Sequence, residues 1–145
     1  MEFYCKKFDE LTNRQVYEIL KSRTEIFLLE QDIRCQDMDN VDYQSLHCFV
    51  EAGNRVIAYL RIYYKDGDRK IVKIGRVLTL SHGKGLGREL MTRSLAIIKD
   101  KLPCKAIHVD AQVQAAGFYE KVGFQQISDE FMEEGIPHIL MEMKV

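Results

Sequence analysis

The chain has 145 residues, 46% of them hydrophobic and 30% charged, and its 21 basic and 22 acidic side chains leave a formal net charge of −1. That composition excludes a disordered chain, and the length predicts one domain over residues 1–145 that buries roughly 68–70% of its unfolded surface without disulfide staples. Balanced charge provides no global field toward nucleic acid or an anionic membrane, so only a local basic site remains for an anionic ligand.

Residues 2–8 suit a first strand, and Thr12-Asn13-Arg14-Gln15 fits a capping box that starts a helix. Val16, Ile19, Leu20 and Phe27 recur at helical spacing and carry that helix to about Glu30, whereas 31–46 reads as a polar loop with a short helical turn. Strands are predicted over 47–51 and 56–64, joined at Gly53-Asn54, and Asp66-Gly67-Asp68 marks the turn into a strand around 71–80. The result is a three-stranded antiparallel meander. A helix from Leu86 to about Leu102 and a buried strand at Ala106-Ile107-His108-Val109 then form a strand, crossover helix and strand, which requires parallel pairing. Gln112 to Lys121 has helical character, Phe124 to Ile127 is a strand, the acidic stretch 129–135 is a connection, and His138 to Met143 closes the chain as a strand. The fold class expected is α/β with a mixed sheet.

The four cysteines, Cys5, Cys35, Cys48 and Cys104, are irregularly spaced without a Cys-x-x-Cys pair and read as reduced, mostly buried thiols. No metal is expected, since Asp37-x-Asp39 lacks the further ligands of a calcium loop. The first residues have no long apolar core and no apolar run approaches membrane-spanning length, so the cytoplasm is the expected compartment and no membrane partner is expected.

The most informative stretch is Ile74 to Met91, in which a β-rich run passes through Gly83, Gly85 and Gly87 into a helix. Glycines let backbone N–H groups approach an anion, and the helix start adds unpaired N–H groups and the positive end of its dipole. The stretch is built to hold phosphate. Lys84 has no following hydroxyl, which excludes a Walker loop, and the glycine spacing departs from the dinucleotide fingerprint.

In this context His82-Gly83-Lys84-Gly85-Leu86-Gly87 resembles the acetyl-CoA motif of the GNAT superfamily of N-acyltransferases, Gln/Arg-x-x-Gly-x-Gly/Ala. A second family motif is similar to Gln112-Val113-Gln114-Ala115-Ala116-Gly117-Phe118-Tyr119-Glu120-Lys121-Val122-Gly123-Phe124. Phe27-Leu28-Leu29-Glu30-Gln31, Ile74-Gly75-Arg76-Val77 and Gly135-Ile136-Pro137-His138 look like the ElaA-type branch. Two departures stand out: His82 replaces Gln or Arg, and the connection from Arg76 to Gly83 is shorter than the common form. The resemblance implies a mostly antiparallel sheet with one parallel pair flanked by helices.

It also implies acetyl-CoA as co-substrate and a primary amine of a small molecule or peptide as acceptor, with direct attack in a ternary complex. By the same resemblance Val77, Leu78 and Thr79 pair with the pantetheine arm, and the N–H near Leu78 polarises the thioester carbonyl. His82, Gly83, Lys84, Gly85, Leu86, Gly87 and Arg88 hold the pyrophosphate, Gln112 makes a further cofactor contact, and Tyr119 reaches the sulfur as general acid. The general base stays open among His138, His47, Glu30 and Asp110, with His138 favoured by its place in the branch motif. Asp37, Asp39, Asp42, Asp129, Glu130, Glu133 and Glu134 are candidates to attract a cationic acceptor. The competing expectation is an acyl-CoA-binding or interaction module with little turnover, and a homodimer is left open.

Overall fold

A computed structural model describes residues 1–65 and 68–145. The predicted turn at Asp66-Gly67-Asp68 therefore lies partly outside the described residues.

One mixed sheet forms the frame. Its strands are β1 (Glu2–Lys7), β2 (Leu46–Ala52), β3 (Arg55–Lys65), β4 (Asp68–Thr79), β5 (Ala106–Gln112), β6 (Gln125–Gln126), β7 (Phe131–Glu133) and β8 (Ile136–Lys144). They lie in the order β1-β2-β3-β4-β5-β8-β6, with β7 also paired to β8, and β4–β5 is the parallel pair. The helices are α1 (Asn13–Arg23), α2 (Leu86–Lys101) and α3 (Ala116–Lys121). This is the mixed, mostly antiparallel α/β architecture expected from the sequence.

Local chemistry accounts for the element ends. Thr12 Oγ1 accepts from the Gln15 N–H while Gln15 Oε1 accepts from the Thr12 N–H, both at 3.0 Å, so the capping box forms as predicted. The helix does not run regularly to Glu30: Thr24–Glu30 widens into a π turn, with the Gln31 N–H donating to Ile26 O at 3.0 Å. Gly53 and Asn54 both take positive φ, as the tight β2–β3 turn requires. Three assignments need correction. The acidic stretch 129–135 contains β7, which turns at Glu134-Gly135 directly into β8, so the final strand starts at Ile136. The helix expected from Gln112 is a 3-10 turn at Val113–Ala115 followed by the short α3, because β5 runs on to Gln112. Of the cysteines only Cys48 is buried; Cys5 and Cys104 are partly buried and Cys35 is exposed.

Strand alternation divides the core between the two faces. Cys48 and Val50 of β2 join Leu60, Ile62, Val72, Ile74, Ile107, Val109 and Met141 beneath Leu90, Met91 and Ile98 of α2. Phe49, between Cys48 and Val50, packs instead with Tyr59, Val56, Leu78, Ile19 and Ile26 in the layer formed with α1 and its π turn. Each fully buried aliphatic side chain of this kind contributes roughly 1.5–3 kcal/mol. No helix among the described residues is long and apolar enough to cross a membrane.

Two features of β4 prepare the site. Gly75 faces Arg61 but Leu78 faces Tyr59, so β4 spends one residue more than β3 over this interval, a β-bulge. Within it Arg76 takes φ 54°, a left-handed conformation that costs a non-glycine residue roughly 1–3 kcal/mol. Meanwhile the parallel pairing to β5 covers only Ile71–Ile74 against Ala106–Val109. Beyond Ile74 the two strands part.

Candidate active site

The parting of β4 and β5 opens a cleft of about 880 Å³. Val77, Leu78 and Thr79 of β4, His82, Gly87, Gln112, Tyr119 and His138 all line it, so the structure gathers most of the predicted site residues around one cavity. At one end stands the start of α2. Gly83 and Gly85 take φ 78° and 72°, and no side chain caps the helix. The first N–H groups of α2 are thus left for another acceptor. A Cβ on Gly87 would lie 3.3 Å from Thr79 Cγ2, so the glycine lets the helix start approach the end of β4. Lys84 and Arg88 are exposed, whereas the Leu86 side chain packs into the core and leaves only its backbone to the loop. Exposed His82 places Nε2 3.8 Å from Glu30 Oε1 at the end of the π turn.

Tyr119 is 6% exposed and sits edge-on to both Phe118 and Phe124. Burial pushes its phenol well above the ordinary value of 10. His138, equally buried, brings Nδ1 within 2.7 Å of the Ile136 carbonyl. A carbonyl only accepts, so Nδ1 carries a proton and donates it, and Nε2 is the other ring nitrogen. That nitrogen is 3.5 Å from Glu133 Oε2, and Phe131 stacks on the ring. The β5–β8 register sets His138 opposite Gln112. The Gln112 side chain is already engaged: its amide donates to Gln31 Oε1 at 3.0 Å, reaching from β5 to the end of the π turn, and its carbonyl accepts from Gln114.

The other base candidates separate by environment. His47 does not border the cleft; it is buried next to α1 with Nδ1 on Tyr59 Oη at 2.7 Å and Nε2 on the Asp42 carbonyl at 2.9 Å. Burial lowers its affinity for a proton. Asp110 lies within β5 and accepts from Lys73 Nζ at 2.9 Å. Glu30 stays half exposed at the cleft mouth.

The carboxylates of the acidic loop are paired with arginines. Three arginines from distant elements hold Asp37, Asp39 and Asp42. Arg23, 1% exposed, reaches Asp37 at 3.0 Å and Asp42 at 2.7 Å. Arg61 grips Asp39 through Nη1 and Nη2 at 2.8 Å and touches Asp42 at 3.0 Å, while Arg76 meets Asp37 at 2.9 Å. A buried guanidinium is tolerable only with such partners. These carboxylates are therefore committed to arginine, and among the described residues the acids lining the cleft without an Arg or Lys partner are those of the β7–β8 turn, Glu133 and Glu134, together with Glu30, of which Glu133 and Glu30 face His138 and His82. Arg61, Lys73, Arg76 and Gln31 border the same cleft and were missed by sequence reasoning except where Arg76 and Gln31 fall inside branch-like pieces. Among the described residues no cluster of His, Cys, Asp and Glu could hold a metal ion.

A family model described as an acetyltransferase (GNAT) domain matches residues 10–145, and the chain belongs to that family. It is 33% identical to the protein ElaA of Escherichia coli K12 over 140 residues, covering 94% of this chain and 92% of that protein. The crystal structure of E. coli ElaA superposes with a TM-score of 0.92 at 31% identity over 99% of both chains. An acyl-CoA N-acyltransferase from Pseudomonas aeruginosa does so with a TM-score of 0.89 at 32% identity, again over 99% of both. The family uses an acyl-CoA co-substrate, and the uncapped α2 start, the bare Gly87 and the open β4 edge fit such a ligand.

The hydrogen bond from Arg61 holds Asp39 at about 2, against the upward push of burial, with the charges of Arg61 and Arg76 adding to it. A carboxylate with a lowered folded value stabilises the fold above its ordinary 3.8 and loses that contribution as pH falls toward 2. Asp39→Asn should therefore lower the urea midpoint most at about pH 7, and the gap from the natural protein should narrow as pH drops below about 4. A gap independent of pH would show that the Asp39 charge is not what matters.

Proposed function

We propose that the chain acts as a single catalytic domain that moves the acetyl group of acetyl-CoA to a primary amine of a small molecule or peptide, by direct attack within a ternary complex. The observation that carries this reading is the cleft itself, which joins an uncapped helix start, an unpaired strand edge and two buried proton-handling side chains. Acetyl-CoA supplies an activated thioester carbonyl and a thiolate leaving group. The residues of the chain supply the rest. Backbone N–H groups from Gly83 to Arg88 bind the pyrophosphate, with Lys84 and Arg88 adding charge near it and His82 bordering it. The edge of Val77, Leu78 and Thr79 aligns the pantetheine arm, and the N–H near Leu78 steadies negative charge on the carbonyl oxygen.

His138 Nε2, its lone pair fixed by the Nδ1 contact to Ile136, takes the proton of the attacking amine, and the Glu133 carboxylate faces the imidazolium that results. Tyr119 gives its proton to the departing sulfur. Gln112 acts from the cleft wall by tying β5 to Gln31 rather than through a free amide.

Acetyl-CoA titration followed by thiol release with a broad panel of amines tests the assignment. Release above background hydrolysis with at least one amine is the expected result; binding without release across the panel favours a non-catalytic acyl-CoA module. Tyr119→Phe should lower turnover at least tenfold, within the ~10²–10⁴ range of acid–base groups, while acetyl-CoA binding is retained. For His138→Ala the acidic limb of the pH–rate profile should disappear, and its persistence would assign the base elsewhere.

A further inference from the structure

Arg76 is unusual among the residues with positive φ. Asp32, Asn40, Asn54 and Glu134 lie in loops and turns, whereas Arg76 lies inside a strand and carries no glycine-like freedom. Its side chain accounts for the conformation. Nε donates to Asp37 Oδ1 at 2.9 Å, Nη2 donates to the Asp37 carbonyl at 3.0 Å, and Nη2 approaches Asp39 Oδ2 at 3.4 Å. Asp37 cannot follow Arg76, because Arg23, nearly inaccessible in the core, holds its other carboxylate oxygen and the same carbonyl, each at 3.0 Å. The contacts form a chain from α1 through the acidic loop to the bulge in β4. The bulge is also where β4 leaves β5, one residue past the last pair, Ile74 with Val109, and the three residues after Arg76 form the free edge.

We propose that Arg76 is a positioning residue: anchored on Asp37, it holds the bulge that turns Val77, Leu78 and Thr79 away from β5 and keeps that edge open for the pantetheine arm. This rests on the acyl-CoA reading above and adds to it the device that maintains the opening. A simple fastening of the loop would affect stability without distinguishing one part of the cofactor from another. Positioning of the edge affects only the part that lies along it.

The test compares binding of CoA with binding of adenosine 3′-phosphate 5′-diphosphate, which carries the anionic end without the pantetheine. The ratio of the two affinities reads the pantetheine contacts. Arg76→Ala should lower that ratio about tenfold while fragment affinity stays within about twofold of the natural protein. Arg76→Lys should recover part of the ratio, and Asp37→Asn, which keeps the carbonyl acceptor, should lower it less than Arg76→Ala. An unchanged ratio overturns the proposal, and so does an equal loss for both ligands. If the alanine variant does not fold, the lysine variant decides by the same criterion. Natural protein that binds neither ligand overturns the acyl-CoA reading itself, and this proposal with it.

Discussion

A parallel strand pair that stops halfway is the constraint on which the molecule depends. Backbone N–H and C=O groups of a central strand are ordinarily satisfied on both sides. Here β4 keeps β3 as a partner up to Thr79 but loses β5 after Ile74. Such an opening in the middle of a sheet would close or fill unless something held it. The structure supplies holding groups on both sides: a bulge pinned by ion pairs from one, and the packing of Gly87 between Thr79 and Phe118 from the other. The helix α2 has to follow within a few residues, so the strand edge and the helix start form one continuous binding surface.

The proposed acid and base are placed by the same frame. Tyr119 sits on the short α3 that follows β5, and His138 lies on β8, the far neighbour of β5. Each side chain is therefore attached to an element that borders the opening, and neither depends on a long loop. Burial pushes the phenol of Tyr119 up, and a backbone carbonyl fixes the ring of His138 through Nδ1. The proposed roles of the two groups draw on different physical means, desolvation in one case and hydrogen-bond direction in the other.

Much of this was legible in the residues because local rules decide it. Thr12 with Gln15, Gly53 with Asn54, and the crossover from β4 through α2 to β5 each follow from neighbours in the chain. The glycines at the start of α2 are equally local, and both motifs border the cleft. What escaped was set by partners far apart. Residues 31–46 read as a polar loop with a short helical turn, which forms at Val41–Gln44, but what holds the loop comes from Arg23, Arg61 and Arg76, three side chains on three other elements. The bulge at Arg76 is invisible for the same reason: nothing near it in sequence favours a positive φ. Strand β7 was read as an acidic connection since its three residues gain order only from pairing with β8. His47 offered an attractive imidazole, yet its ring is consumed by Tyr59 and a carbonyl.

The balance of charge in the arginine network reaches beyond the fold. Among the described residues, Arg61 and Arg76 face Asp37 and Asp39, and Lys73 faces Asp110, so each Arg and Lys lining this wall of the cleft is matched by a carboxylate, while Arg23 and Asp42 pair outside the cleft lining. To an incoming molecule the wall is a rigid set of dipoles with little net field. Ionic strength, which screens free charges over about 10 Å at 0.1 M salt, has little to act on there. Among the described residues, the cleft-lining carboxylates outside such Arg and Lys pairs are Glu30 at the end of the π turn and Glu133 and Glu134 on the β7–β8 turn, and those are the charges that salt would screen.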